Sequence, residues 1–286
     1  MSKARTGLNF LNKFLRGLNL RLETLTLDRQ EEERLRAVQQ AGWFEKAVYS
    51  VPPGFLNSTH QFVLEELRKH QPRFDSFQQA ARNDVGFDFS NGYYSSPDAE
   101  ILYAMVRAHP PGRIVEIGCG NSTKIIHQAL KDGELTCEHV AIDPYPREEI
   151  SRLVNVMIRR PIEYADAGGR ISALGPGDIL FIDTSHEVRP ANDVAYIYGQ
   201  LLHKVAPGVV VHIHDIFLPY EYPQSWVMDI GLKWGEQYLV HAMLSDSRAW
   251  EVLWPGYYLQ RTMPDFAKHF PHNRGRDAQS LWLRKR

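Results

Sequence analysis

The chain has 286 residues, a formal net charge of −1 and 43% hydrophobic residues. That length and apolar content suit one large α/β domain with an appendage, and they exclude a disordered protein. The balanced charge argues against a general nucleic-acid binder, which would show a clustered basic excess. Two cysteines, Cys119 and Cys137, make no disulfide framework, so a reducing, cytoplasmic compartment is expected.

No apolar run approaches the ~20 residues that a membrane helix needs, so no integral membrane segment is expected. The N-terminus lacks the apolar core of a secretory signal. It carries Lys3, Arg5, Lys13, Arg16 and Arg21 with no acid before Glu23, and Leu8, Leu11, Leu15 and Leu18 share one helical face. Such a helix either touches a membrane or partner surface, or docks on its own domain or a neighbouring subunit. Packed amphipathic helices are the commoner case, which makes these N-terminal helices a route to a homo-oligomer.

Residues 29–48 and 58–83 have helical periodicity, and Ser58 or Thr59 is a plausible N-cap for the second. Loops rich in Pro, Gly, Asn and Asp follow at 51–55 and 83–97. Residues 1–95 therefore read as a helical N-terminal extension or cap, and 96–286 as the core.

From residue 96 the pattern alternates. A helix over 96–109 is followed by the strand "RIVEIG", a helix over 121–133 and the strand "CEHVAID". A helix over 147–159, a weaker strand "PIEYAD", the strand "DILFID", a helix over 191–208 and the strand "VVVHIHD" come next. A long helix over 225–244 precedes two final strands, 250–259 and 278–286, expected to be an antiparallel edge pair. Strand–helix alternation with continuous apolar strands predicts a doubly wound, mostly parallel sheet covered on both faces. Such a sheet places ligands beyond the carboxyl ends of its strands.

The first strand stops at "EIGCGNS" (116–122), where Gly118 and Gly120 permit a tight turn and close approach to a ligand. The second stops at Asp143, the usual place for an acid that holds a ribose diol. A dinucleotide and S-adenosylmethionine both fit such a turn and acid. The dinucleotide fingerprint wants a third glycine where this chain has Thr123. Glu116 is awkward beside a pyrophosphate and suits a cationic ligand.

The fourth strand stops at "FIDTSH" and the fifth at "HIHDIF" (212–217). If those strands are neighbours, Asp183 ends beside His214 and Asp215, with His186 in the loop above. His212 lies two residues deeper on the same face. Three readings compete: a divalent metal site, a histidine base oriented by a carboxylate, and a structural set of satisfied polar groups. The loops "PYEYPQSW" (219–226) and "GFDFSNGYYSS" (86–96) supply aromatic residues to cover such a site.

"EIGCGNS", "IDPYP", "GDILFIDTSH", "GVVVHIHDIFLPYEYP" and the closing "SLWLRK" together resemble the ordered motifs of class I S-adenosylmethionine-dependent methyltransferases. They are most similar to a bacterial group that acts on small molecules and sugars, including natural-product biosynthesis. The resemblance covers residues 92–286 and implies a Rossmann-like, seven-stranded sheet. It implies that Glu116, Gly118 and Gly120, with Ser122, bind the methionine portion of S-adenosylmethionine, that Asp143 takes the ribose hydroxyls and that Asp166 lies near the adenine. It also implies a metal layout of Asp183, His214 and Asp215, with His186 added if its side chain points inward. Imidazole among the ligands widens the choice from Mg to Mn, Fe or Zn. The expected function is O-methylation of a hydroxyl on a small-molecule or sugar-like acceptor, with Asp183, His186 and His214 as catalytic groups. The alternative is a non-catalytic module that binds the cofactor or its product and docks a partner.

Overall fold

The computed structural model describes residues 10–56, 60–78, 85–147 and 149–286. The expected caps Ser58 and Thr59, and Lys3, Arg5 and Leu8 of the basic helix, lie outside the described residues. A short helical stretch at 10–18 and two longer helices, α1 (Thr26–Gln40) and α2 (Gln61–Phe74), are described ahead of α3 (Asp98–Ala108). The core then alternates β1 (Arg113–Ile117), α4 (Asn121–Asp132), β2 (Glu138–Ile142) and β3 (Val156–Ile158). It continues with α5 (Ala167–Ser172), β4 (Ile179–Ile182), α6 (Asp193–Tyr196) and β5 (Val210–Ile213). It closes with α7 (Glu236–Ser245), β6 (Trp250–Pro255), α8 (Gly256–Thr262), α9 (Phe266–His269) and β7 (Leu281–Lys285).

The seven strands form one sheet in the order β3-β2-β1-β4-β5-β7-β6. β1 to β5 are parallel, and β7 runs antiparallel between β5 and β6. This is the doubly wound, Rossmann-like sheet expected from the alternation. Each face buries an apolar layer. On one face Ile114, Phe181 and Trp282 pack with Leu102, Ile126 and Leu67 from α3, α4 and α2. On the other, Val115, Leu180 and Ile213 pack with Ile171, Leu201 and Val240.

α2 thus shares the first layer with the sheet, and no break in packing marks residue 95. α1 behaves differently: none of its residues is buried. Ahead of it Leu11 and Leu18 are exposed and Leu15 is half-buried. Among the described residues no helix is long and apolar enough to cross a membrane.

Three elements depart from the expected pattern. The strand next to β2 is Val156–Ile158, inside the stretch expected to be helix, while 162–164 form a single 3₁₀ turn. "VNVMI" satisfies helical and strand patterns alike, and pairing with Val140–Ile142 decides it. The expected helix over 225–244 breaks at Gly231, whose φ is +74°. The stretch after Pro255 turns into α8 rather than extending β6.

One glycine fixes the geometry of the sheet's upper edge. Gly118 has φ +77°, its amide donates to Ile142 at 2.9 Å, and an added Cβ would lie 1.6 Å from the carbonyl oxygen of Asp183. Only glycine lets the ends of β1 and β4 approach this closely. Gly118→Ala is therefore expected to lower unfolding stability by about 2–4 kcal/mol in denaturant titration. At Gly120 an added methyl meets nothing within 4 Å, so Gly120→Ala should cost less than ~1 kcal/mol.

A second expectation concerns pH. Glu100 on α3 is buried and accepts from Ser96 Oγ at 2.7 Å, while its other oxygen has no partner. Burial pushes its carboxyl up from 4.5 to about 8, against the lowering effect of Ser96. Between those values the folded chain holds a proton that the unfolded chain has released, so stability falls as pH rises through the window. Glu100→Gln should flatten that decline in denaturant titrations at the two ends of the window; an unchanged slope would show that Glu100 does not contribute.

Candidate active site

A cleft of about 470 Å³ opens above the carboxyl ends of β1, β2 and β4. Gly118 and Cys119 form one wall, Asp143 and Tyr145 a second, and Ile162 and Glu163 a third. Asp183, Thr184 and Ser185 close it from the β4 side. Asp143 is held in place by amides: Cys119 donates to Oδ2 at 3.1 Å and Tyr145 to Oδ1 at 2.8 Å. A carboxylate with two donors retains lone pairs for a ligand diol.

The other residues expected around a cofactor divide. Glu116 does not line the cleft. It points to the opposite sheet face, fully buried, where Ser122 and Thr123 hydroxyls donate at 2.7 and 2.9 Å and His139 Nε2 donates at 2.9 Å. Strand alternation puts Glu116 on the face of Ile114, under the first turn of α4. With Ser122 it ties β1 and β2 to that helix. Gly120 begins the helix, its amide donating to Thr123 Oγ1 at 3.0 Å. Asp166 is displaced furthest. It lines a separate hollow with Arg113, Glu138 and Arg170 and is not among the residues of the cleft. The shift of β3 towards the N-terminus accounts for this: Ile162 and Glu163 occupy the rim that Asp166 was expected to reach.

At the ends of β4 and β5 the backbone pairing is as expected: Ile182 faces Ile213, and the amide of His214 donates to Ile182 at 3.0 Å. The side chains sort less simply. His186 Nε2 lies 3.2 Å from Asp183 Oδ1 and 3.1 Å from Asp215 Oδ2. Its Nδ1 lies 2.8 Å from Glu236 Oε2, at the first turn of α7. Glu236 is fully buried, and nothing in the sequence pattern marks an acid 50 residues downstream as a partner. Asp183, His186 and Asp215 each offer a ligand atom, all within 4.8 Å of one another.

His214 stands beside this group. Its Nε2 is 3.9 Å from Asp215 Oδ1, and its ring packs on Tyr94 at 4.8 Å. The division has a backbone cause. Asp215 has φ +58° and reaches His186, while His214 stays buried on the sheet face of His212 and Tyr94. His186 itself has φ +58°. His212, one alternation deeper, stacks on Phe181 at 4.1 Å with neither ring nitrogen hydrogen-bonded.

Electrostatics follow the packing. Burial disfavours charge on His186, but Asp215, Asp183 and Glu236 outweigh it and raise its pKa well above the ordinary value. Burial would raise Asp183, yet His214 and His186 hold it below the usual carboxylate range. Burial lowers His212 and keeps it neutral, with His214 adding to the effect. Asp183 is the cluster member that opens to the cleft, with a side chain 32% exposed against 9% for Asp215. Its loop is braced from α6, where Asp193 accepts from the Ser185 hydroxyl at 2.6 Å.

Residues 115–216, from β1 through the end of β5, match the family profile described as a methyltransferase domain. No curated protein matches the chain. Among solved structures, an S-adenosylhomocysteine-bound methyltransferase of Podospora anserina aligns over 88% of this chain and 95% of its own, with 16% identity and a TM-score of 0.41. An O-methyltransferase of Bacillus cereus, also in complex with S-adenosylhomocysteine, aligns over 78% and 90%, with 16% identity and a TM-score of 0.41. The matched segment carries every strand end that forms the cleft and the His186 cluster. Residues 115–216 thus match a methyltransferase-domain profile, and the sheet that carries them is seven-stranded, mostly parallel and Rossmann-like.

Proposed function

We propose that this protein is an S-adenosylmethionine-dependent O-methyltransferase acting on a hydroxyl of a small molecule. The observation that carries the reading is the position of Asp183. It lines the cleft framed by Gly118 and Asp143 and also touches His186, so cofactor site and acid–base cluster meet at one side chain.

S-adenosylmethionine supplies the transferable methyl group as a sulfonium. Asp143 is the residue to hold its ribose, and Gly118 admits the chain's close approach to it. The acceptor hydroxyl must release its proton as it attacks. Asp183 is the residue to orient that hydroxyl by accepting its hydrogen bond, with His186 Nε2 beside its Oδ1; the proton leaves to solvent in the open cleft. Glu236 accepts from Nδ1 of His186 and so directs Nε2 at the two aspartates.

Asp183, His186 and Asp215 also fit a divalent metal. Asp215 Oδ1 is buried without a hydrogen-bond partner, and a cation at His186 Nε2 would take the place of the proton there and balance the surrounding carboxylates. A metal held there supplies a Lewis acid that lowers the pKa of the acceptor hydroxyl. His214 lies outside this set, and its role is to pack Tyr94 against the cluster's rim.

Calorimetric titration with S-adenosylhomocysteine should give one site per chain, weakened about 10–100-fold in Asp143→Ala, which removes a charged acceptor of the diol. No binding to the wild type would sink the reading. For turnover, His186→Ala should reduce the rate about 10²–10⁴-fold, with S-adenosylhomocysteine affinity within about two-fold of wild type. His214→Ala should lose less than about ten-fold. The reverse order of the two variants would move the chemistry to His214.

A further inference from the structure

A second cavity, of about 620 Å³, lies between α1 and the segment 221–238. We propose that it binds the acceptor through a planar aromatic ring system, so that the hydroxyl methylated is carried by an aromatic rather than a sugar-like molecule. The role as acceptor site rests on the methyl-transfer reading above; the affinity for aromatic rings does not.

The cavity walls are a continuous run of rings. Trp43 contacts Tyr49 with centroids 6.5 Å apart, and Tyr49 contacts Tyr238 at 5.7 Å. Tyr238 meets Tyr222 at 5.9 Å, Tyr222 meets Trp234 at 5.9 Å, and Trp234 meets Trp226 at 5.2 Å. Most of these pairs are edge-to-face, the arrangement that another aromatic ring extends most readily. Trp43 and Tyr238 are 38% and 40% exposed, so the cavity is open to solvent at that end.

The inner end reaches the reaction centre. The Trp234 ring lies 4.4 Å from the His186 ring, and the amides of Gly235 and Glu236 donate to the His186 carbonyl at 2.8 and 3.1 Å. The loop 183–186 is therefore a partition one side chain thick. Asp183, Thr184 and Ser185 face the cofactor cleft on one side, and His186 meets the cavity wall on the other. Trp234 is thus the wall shared by the cavity and the cluster, and a ligand's substituent reaches the cluster by displacing that ring, since His186 is 4% and Asp215 7% exposed.

The chemistry of the lining selects the class. Its acids are committed to protein partners. Glu221 accepts from the hydroxyls of Tyr49 and Tyr238, both at 2.6 Å, and from the amide of Tyr222 at 2.8 Å. Glu31 is paired with Arg34 through two bonds of 2.8 and 2.7 Å. A sugar would bring several hydroxyls to a lining made mainly of rings, with Lys233 and Arg34 as its main remaining donors and no acid left free to accept. A flat ring system loses no hydrogen bonds and gains ring contacts. The volume falls within the range of roughly 300–1,000 Å³ typical of small-molecule sites.

The test is calorimetric titration of the full-length protein with 2,3-dihydroxynaphthalene and, separately, with myo-inositol, each with and without S-adenosylhomocysteine. The proposal expects one naphthalene-diol site per chain and no heat from inositol. Trp43→Ala and Trp226→Ala should each weaken the diol by at least about ten-fold. Both should leave S-adenosylhomocysteine affinity within about two-fold, because neither ring lines the cofactor cleft. Absence of diol binding, diol binding that survives both substitutions, or inositol binding of equal strength overturns the proposal. Failure of the wild type to bind S-adenosylhomocysteine instead defeats the methyl-transfer reading, and the diol titration still decides the cavity.

Discussion

Three carboxylates converge on one buried imidazole, and the upper edge of this sheet is organised around that convergence. Asp183 comes from the end of β4, Asp215 from the end of β5 and Glu236 from the first turn of α7. A buried carboxylate without a partner is too costly to keep charged, and three of them together are worse. His186 answers part of that cost by holding its proton. The remainder is a standing negative potential beside the cleft. A site with that character favours a cation, whether a divalent metal or the sulfonium of a methyl donor. The imidazoles of His214 and His186 offset that potential at Asp183, which faces the cleft and remains ionised.

The backbone accepts strain to build this arrangement. His186 and Asp215 both sit in the left-handed region, at φ +58°, which costs a non-glycine residue about 1 kcal/mol or more. Gly118 supplies the complementary freedom, bringing the end of β1 against the Asp183 carbonyl. Cofactor turn and acid–base cluster are thereby held in one frame and cannot drift apart independently. The loop 183–186 then divides two spaces of different chemistry: a polar cleft on the Asp143 side, and a cavity of packed rings on the Trp234 side. Methyl transfer needs acceptor oxygen and methyl carbon in direct contact, so an acceptor held in the cavity must reach past this loop into the cleft.

Much of this was legible in the sequence, and the parts that were not have definite causes. The apolar runs "RIVEI", "ILFI" and "VVHI" could only be buried strands, and their stopping points located Gly118, Asp143, Asp183 and Asp215 correctly at one edge. The neighbouring-strand argument brought Asp183 and Asp215 together before any coordinates. It grouped His214 with Asp215, although alternation turns neighbouring residues of a strand to opposite faces. Glu116 reads as a ligand for a cationic cofactor, but strand parity turns it beneath α4 onto His139. Asp166 failed through register: "VNVMI" pairs with β2, and everything after it shifts. Glu236 and Trp234 were invisible because their meaning depends on a contact 50 residues distant in the chain, and no local pattern encodes it.

The claim on which all of this turns is that the methyl donor sits with its sulfur towards the Asp183–His186–Asp215 cluster. A crystal structure with S-adenosylhomocysteine and Mn²⁺, recorded above the manganese absorption edge, tests it most directly. The account predicts the nucleoside between Gly118 and Asp143, the sulfur facing Asp183, and the anomalous peak bonded to Asp183, His186 and Asp215. A sulfur turned away from those residues, or manganese held at His214 or elsewhere, would contradict it.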